Sequence, residues 1–119
     1  APGEVRSSDG AVIGEAAVDF VGQFNVDFAV IGASAIDADG ALLDYDYREV
    51  RVAQAIVSNA RHVILAADAS KHERAAPVRI GHVSSVHTFV TDRCPGKVFR
   101  GLLDGFDIEV IETGCPPVG

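Results

Sequence analysis

Val63-Ile64-Leu65-Ala66-Ala67-Asp68-Ala69-Ser70-Lys71 runs apolar for five residues and then meets a carboxylate, a hydroxyl and an ammonium within four. That is the pattern of a buried strand running into a site. Apolar side chains at every position from Val63 to Ala67 predict a strand covered on both faces, as in a parallel sheet. In such sheets ligands sit beyond the carboxyl ends of the strands, where Asp68, Ser70 and Lys71 fall. Turn chemistry accounts for Asp68 and Ser70 equally well on this stretch alone, with Lys71 in water.

The flanking residues supply the rest of an alternating pattern. Upstream, Asp46 followed three residues later by Glu49 has capping-box spacing, and Val50, Ala53, Ile56 and Val57 form the apolar stripe of a helix reaching about Ala60. Before it, Phe28 to Ala33 is a second continuously apolar strand, ending in a polar turn from Ser34 to Gly40. Ala16, Val18, Phe20, Val21 and Phe24 lie on helical spacing, which predicts an amphipathic helix over Glu15 to Phe24 covering a sheet face. Glu4 to Arg6 reads as a short strand before the turn Ser7-Ser8-Asp9-Gly10. Downstream come a polar segment from His72 to Pro77, an extended piece around Val78 to Ile80, and a strand from His87 to Thr91 that stops at Asp92. A helix starting at Pro95 and a last strand from Asp107 to Ile111 follow, with Cys115-Pro116-Pro117 as a tail. Strands alternating with helices make this an α/β domain on a parallel sheet with right-handed crossovers. Three strand ends then deliver Asp37, Asp68 with Lys71, and Asp92 to one edge.

Composition narrows the function classes. The 119 residues are 48% hydrophobic and 23% charged, which describes one globular domain. No apolar run approaches the ~20 residues of a membrane span. Cys94 and Cys115 are too few and too far apart for a disulfide framework or a CxxC pair, so a cytoplasmic setting is expected. The net charge of −7, with ten dispersed basic residues, argues against a nucleic-acid surface on this chain. The four histidines show no metal-ligand spacing, and no cofactor is expected. Neither Ser34 nor Ser70 sits in a GxSxG elbow. Gly32 and Gly40 form no GxGxxG, and a lone glycine after a strand more often marks a turn. The absence of Met, even at position 1, makes a piece of a longer polypeptide the simplest expectation.

Several segments carry a resemblance: Arg6 to Ala16, Asp27 to Gly40, Leu42 to Tyr47, Glu49-Val50-Arg51, Ala60 to Val63, and Asp68-Ala69-Ser70-Lys71. Together they resemble the effector-binding domain of the DeoR family of bacterial transcriptional repressors over nearly all of residues 1 to 112. The resemblance implies a three-layer fold like that of ribose-5-phosphate isomerase and glucosamine-6-phosphate deaminase. It also implies a phosphorylated sugar or polyol as effector, glycerol 3-phosphate being favoured. Asp37, Gly40, Asp68, Ser70 and Lys71 would border the pocket, Lys71 meeting phosphate and the carboxylates meeting hydroxyls. The position after the Ser-Lys pair, aromatic in the family, is His72 here. The family's N-terminal helix-turn-helix and the first part of its effector domain, with a Gly-Thr-Thr phosphate loop, are not among these residues. The chain is therefore expected to be a partial effector-binding and oligomerising domain, a homo-oligomer that meets DNA only through a domain it lacks. The rival is a sugar-phosphate isomerase or deaminase on the same scaffold. Against it, the isomerase's acidic motif is reduced here to Asp37-Ala38-Asp39-Gly40, so no catalytic activity is expected.

Overall fold

A computed structural model describes residues 25–114. The expected strand and turn before residue 11, the helix over Glu15 to Phe24 and the Cys115-Pro116-Pro117 tail lie outside the described residues.

Four strands form a parallel sheet in the order β1 (Val26–Ile31), β4 (Ala60–Ala66), β6 (Thr88–Thr91), β7 (Glu109–Glu112). Register pairs Val30 with Ile64 and Leu65 with Phe89, so residues two apart along each strand share a face. Helix α1 (Tyr47–Ser58) precedes β4, and helix α2 (Lys97–Gly105) joins β6 to β7. Both send their apolar stripes into one core: Val50 of α1 and Phe99 and Leu103 of α2 pack with Ile31, Val63, Leu65 and Phe89. Leu65, Phe89 and Leu103 are fully buried. Each such side chain contributes about 1.5 to 3 kcal/mol by leaving water.

Among the described residues, cover on the anchoring strand comes from one face. Val63 and Leu65 are buried, whereas Ile64 is half-buried and Ala66 exposed. Phe28 and Val30 on the same face as Ile64 are 67% and 65% exposed. The physical reason is handedness: β1, β4, β6 and β7 step across the sheet in one direction, and right-handed crossovers taken in one direction all fall on one side. The described connections therefore cover one face only.

A correction concerns the stretch after β1. Ser34 to Gly40 is not all turn, because Ala35–Ile36 is a short, fully buried strand, β2. It pairs antiparallel with β3 (Ala41–Asp44), which pairs in turn with β5 (Val78–His82). Only Asp37 to Gly40 makes the tight turn, closed by the Gly40 amide donating to the Asp37 carbonyl at 2.9 Å. Gly40 has φ +99° and its carbonyl accepts the Val83 amide at 2.8 Å. Val83 begins a 3-10 turn (Val83–Ser85) on which the β2–β3 turn sits.

Smaller boundary differences have local causes. Helix α1 ends at Ser58 because the Asn59 side chain and backbone amides turn back onto Ala55 and Ile56, freeing Ala60 for β4. Its N-cap is Asp46 as expected, bonded to the Arg48 amide, but no bond returns from Glu49 to close a capping box. Glu49 lines a shallow groove at the end of β1 instead. Asp107, expected in the last strand, has φ +58° and turns the chain out of α2 before β7 begins at Glu109.

Candidate functional site

The anchoring strand ends where the sequence puts it, and a 3-10 helix (Ala69–Glu73) starts there. Asp68 is its N-cap, accepting from the Ser70 amide at 2.9 Å and from the Ser70 hydroxyl. Those bonds, the hydroxyl's first, hold the Asp68 carboxyl below the usual carboxylate range. Turn chemistry thus accounts for Asp68 and Ser70, and both remain on the edge where the strands end.

Asp92, at the end of β6, stitches this edge together. Its Oδ1 accepts the Ala69 amide at 2.8 Å and the Arg93 amide at 2.7 Å. The Ala69 bond is the main cause of its lowered pKa, opposed first by desolvation and, less, by the neighbouring Asp68 charge. Two of the three expected strand ends therefore meet. Asp37 comes from the small antiparallel sheet rather than from a parallel strand. It is exposed in the β2–β3 turn, and its carboxylate has no hydrogen bond among the described residues. Gly40 is buried beneath the same turn, so the structure gives it a conformational task.

Beside this edge lies a cavity of about 340 Å³. Ile36 and Ala38 come to it from β2 and its turn, His72 from the 3-10 helix, and Pro95 through Phe99 from the start of α2. Its lining is apolar apart from His72, Lys97 and the backbone of Gly96. Gly96 is the N-cap of α2 and no side chain caps the helix, so the amides of its first turn are available to a ligand acceptor. Lys97 and Lys71 enter no ion pair among the described residues. Lys71, half-buried on the 3-10 helix, is near enough to Asp68 to favour its ionised form. His72 packs edge-on to Phe99 with ring centroids 4.6 Å apart, and its Nε2 is buried with no hydrogen-bond partner. Burial lowers the pKa of this imidazole, against the smaller opposing effect of the Asp68 charge.

Chemically this arrangement can receive a small anion with hydroxyls, and neither Ser70 nor Ser34 is activated by an imidazole among the described residues. The Ser70 hydroxyl donates to Asp68 and that of Ser34 to Asp44, so neither is bonded to an imidazole. Sequence reasoning missed Lys97 and the cavity role of His72. Lys97 is the first residue of a helix whose missing side-chain cap was its only signal.

A second cavity, of about 310 Å³, lies at the opposite end of the sheet, where Val57 and Ser58 close α1 and Val86 leads into β6. It contains none of the expected site residues.

Comparison with known proteins bears on this geometry. Residues 1–93 match the family model described as the DeoR C terminal sensor domain. The chain is 52% identical over 110 residues to the glycerol-3-phosphate regulon repressor of Escherichia coli, covering 92% of this chain and 44% of that protein. It is 52% identical over 94 residues to the repressor of the same name from Haemophilus influenzae, covering 79% of this chain and 37% of that one. The HTH-type transcriptional repressor CsqR of Escherichia coli is 36% identical over 109 residues, 92% of this chain and 42% of its own length. The chain thus spans under half the length of the curated relatives it matches.

Proposed function

From the premise that this chain belongs to the DeoR C-terminal sensor domain family, we propose that it senses a phosphorylated polyol, glycerol 3-phosphate first, on behalf of a transcriptional repressor. In the intact cytoplasmic regulator, an oligomer, the effector shifts an equilibrium between two states that differ in DNA binding. Such a shift requires differential affinity for the two states. The relatives are named as transcriptional repressors, which implies a regulator rather than an enzyme.

The observation that carries the reading is the cavity beside the strand ends, with Lys97 in its wall and Lys71 nearby without an ion-pair partner among the described residues. In this reading Lys71 and Lys97 meet the phosphate, and Asp37 and Asp68, with Ser70, border the hydroxyl-bearing end. An ammonium suits a point contact to phosphate.

Calorimetric titration of glycerol 3-phosphate into the protein and its Lys71→Ala variant is the test. A charge-assisted contact is worth ~1.5 to 3 kcal/mol, so affinity falls by about one to two orders of magnitude. A variant within twofold of the parent removes Lys71 from the site. A parent protein that binds no phosphorylated polyol overturns the reading itself.

A further inference from the structure

The β2–β3 turn carries Ala38 to the wall of the cavity beside the strand ends, with Asp37 next to it in the chain. Among the described residues, two hydrogen bonds reach this turn from outside its own hairpin, and both come from the dipeptide His82-Val83. Val83 gives its amide to the Gly40 carbonyl at 2.8 Å, a bond almost any residue could make. His82 makes one that depends on its ring. Its Nε2 meets the Asp39 carbonyl, 43 residues away in sequence, at 2.7 Å, while its Nδ1 meets the Ser84 amide at 3.1 Å. A backbone amide only donates, so Nδ1 is the acceptor and the proton sits on Nε2, as the carbonyl requires. One nitrogen therefore caps the 3-10 turn Val83–Ser85, and the other grips the β2–β3 turn. The same ring lies against Gly40, where a Cβ would stand 2.8 Å from Nε2, and edge-on to Phe106 at the C-cap of α2, with centroids 5.6 Å apart. The turn supplies Ala38 to the cavity and α2 supplies Lys97 and Phe99. One imidazole thus touches the supports of two cavity walls without lining the cavity itself.

We infer that His82 is a positioning residue for the effector: through Nε2 it holds the β2–β3 turn at the cavity wall, and effector affinity depends on that bond rather than on the cap made by Nδ1. The inference rests on the effector reading above. A turn released from its tether has to settle again when a ligand binds, and that ordering is subtracted from affinity.

The experiment titrates glycerol 3-phosphate by calorimetry into the parent protein and into His82→Gln, His82→Asn and His82→Leu, with the thermal midpoint of each read alongside and every titration run well below the lowest midpoint. The two carboxamides divide the imidazole's tasks. The Gln amide nitrogen reaches the position of Nε2 and donates to Asp39, whereas the Asn oxygen stands at the position of Nδ1 and accepts from Ser84. His82→Gln binds within twofold of the parent, and His82→Asn and His82→Leu lose about fivefold in affinity. The Asn variant, its cap kept, unfolds no lower than the Gln variant, so affinity and stability part company, which a merely structural role does not produce. If the Leu variant does not fold, the comparison of Gln with Asn decides. Asn binding within twofold of the parent overturns the inference, and so does a Gln variant as weak as Asn. Affinity that follows the thermal midpoint across the variants assigns the loss to general destabilisation and also overturns it. In each of these cases a parent that binds glycerol 3-phosphate leaves the effector reading standing, whereas a parent that does not bind it takes both down.

Discussion

Replacing Gly40 by Ala tests whether this glycine, which the resemblance places at the ligand pocket, serves the fold instead. At φ +99° a side chain is strained in any surroundings, at a cost of about 1 to 3 kcal/mol. A Cβ built there would stand 2.7 Å from Val83 Cγ1 and 2.8 Å from His82 Nε2, both well inside ordinary contact. Neither neighbour yields easily. Val83 is fully buried, and His82 Nε2 donates to the Asp39 carbonyl at 2.7 Å while its Nδ1 accepts the Ser84 amide. Overpacking of this kind costs about 1 to 3 kcal/mol. The two together come to roughly 2 to 6 kcal/mol, a large share of the ~5 to 15 that holds a domain folded. Urea unfolding followed by circular dichroism reads the loss, and the thermal midpoint should drop by more than about 8 °C. Gly101→Ala is the control, because that glycine lies inside α2 with nothing within 4 Å of an added Cβ. It should gain about 0.5 to 1 kcal/mol. A loss under ~1 kcal/mol at Gly40 refutes the packing argument. Weaker effector binding at unchanged stability would return Gly40 to the pocket.

Two further expectations follow from charge. Stability should decline in two stages on acidification. His72, whose pKa is held below its ordinary 6.5 by burial, favours the folded state only while neutral, so its contribution fades as pH falls below 6.5. The carboxyls of Asp46, Asp68 and Asp92 are held below 3.8 chiefly by hydrogen bonds from Arg48, Ser70 and Ala69, so theirs is present above that value and fades beneath it. Urea midpoints measured from pH 7 to pH 2.5 check this, and a midpoint that rises between pH 6.5 and 3 contradicts it. The second expectation is that the 119-residue chain, at net charge −7, retains no duplex DNA in a low-salt gel shift. Micromolar, salt-sensitive retention would overturn it.

Elements set by local sequence were the legible ones. The apolar runs at Phe28 and Val63 became β1 and β4, and the Asp46 cap opened α1 as its spacing predicts. The two-residue strand Ala35–Ile36 was not legible, because it lies between Ser34 and Asp37 and is defined by pairing with Leu42 and Leu43. No periodicity exists in two residues. Which elements cover β4 was less legible: a continuous apolar run reports what a strand offers, while the direction of the crossovers decides which face the described helices receive. At the site, Asp68, Ser70 and Lys71 were visible as the point where an apolar run stops. Lys97 and His72 belong to one cavity only because α2 and the 3-10 helix, more than twenty residues apart in sequence, meet across Asp92 and Phe89.

Because one carboxylate oxygen of Asp92 receives the amide that opens the 3-10 helix and the amide that leads toward α2, the cavity's two main walls are fastened to a common point. A ligand entering between them finds backbone already ordered. Association is opposed by the freedom lost when loops settle around a guest, and much of that loss is incurred here during folding instead. Under the proposed function, preorganisation of this sort is what would let a molecule as small as a three-carbon phosphate, with few atoms to contribute, be held by a handful of contacts. On that reading Asp92, which need never touch the guest, becomes a residue on which affinity depends.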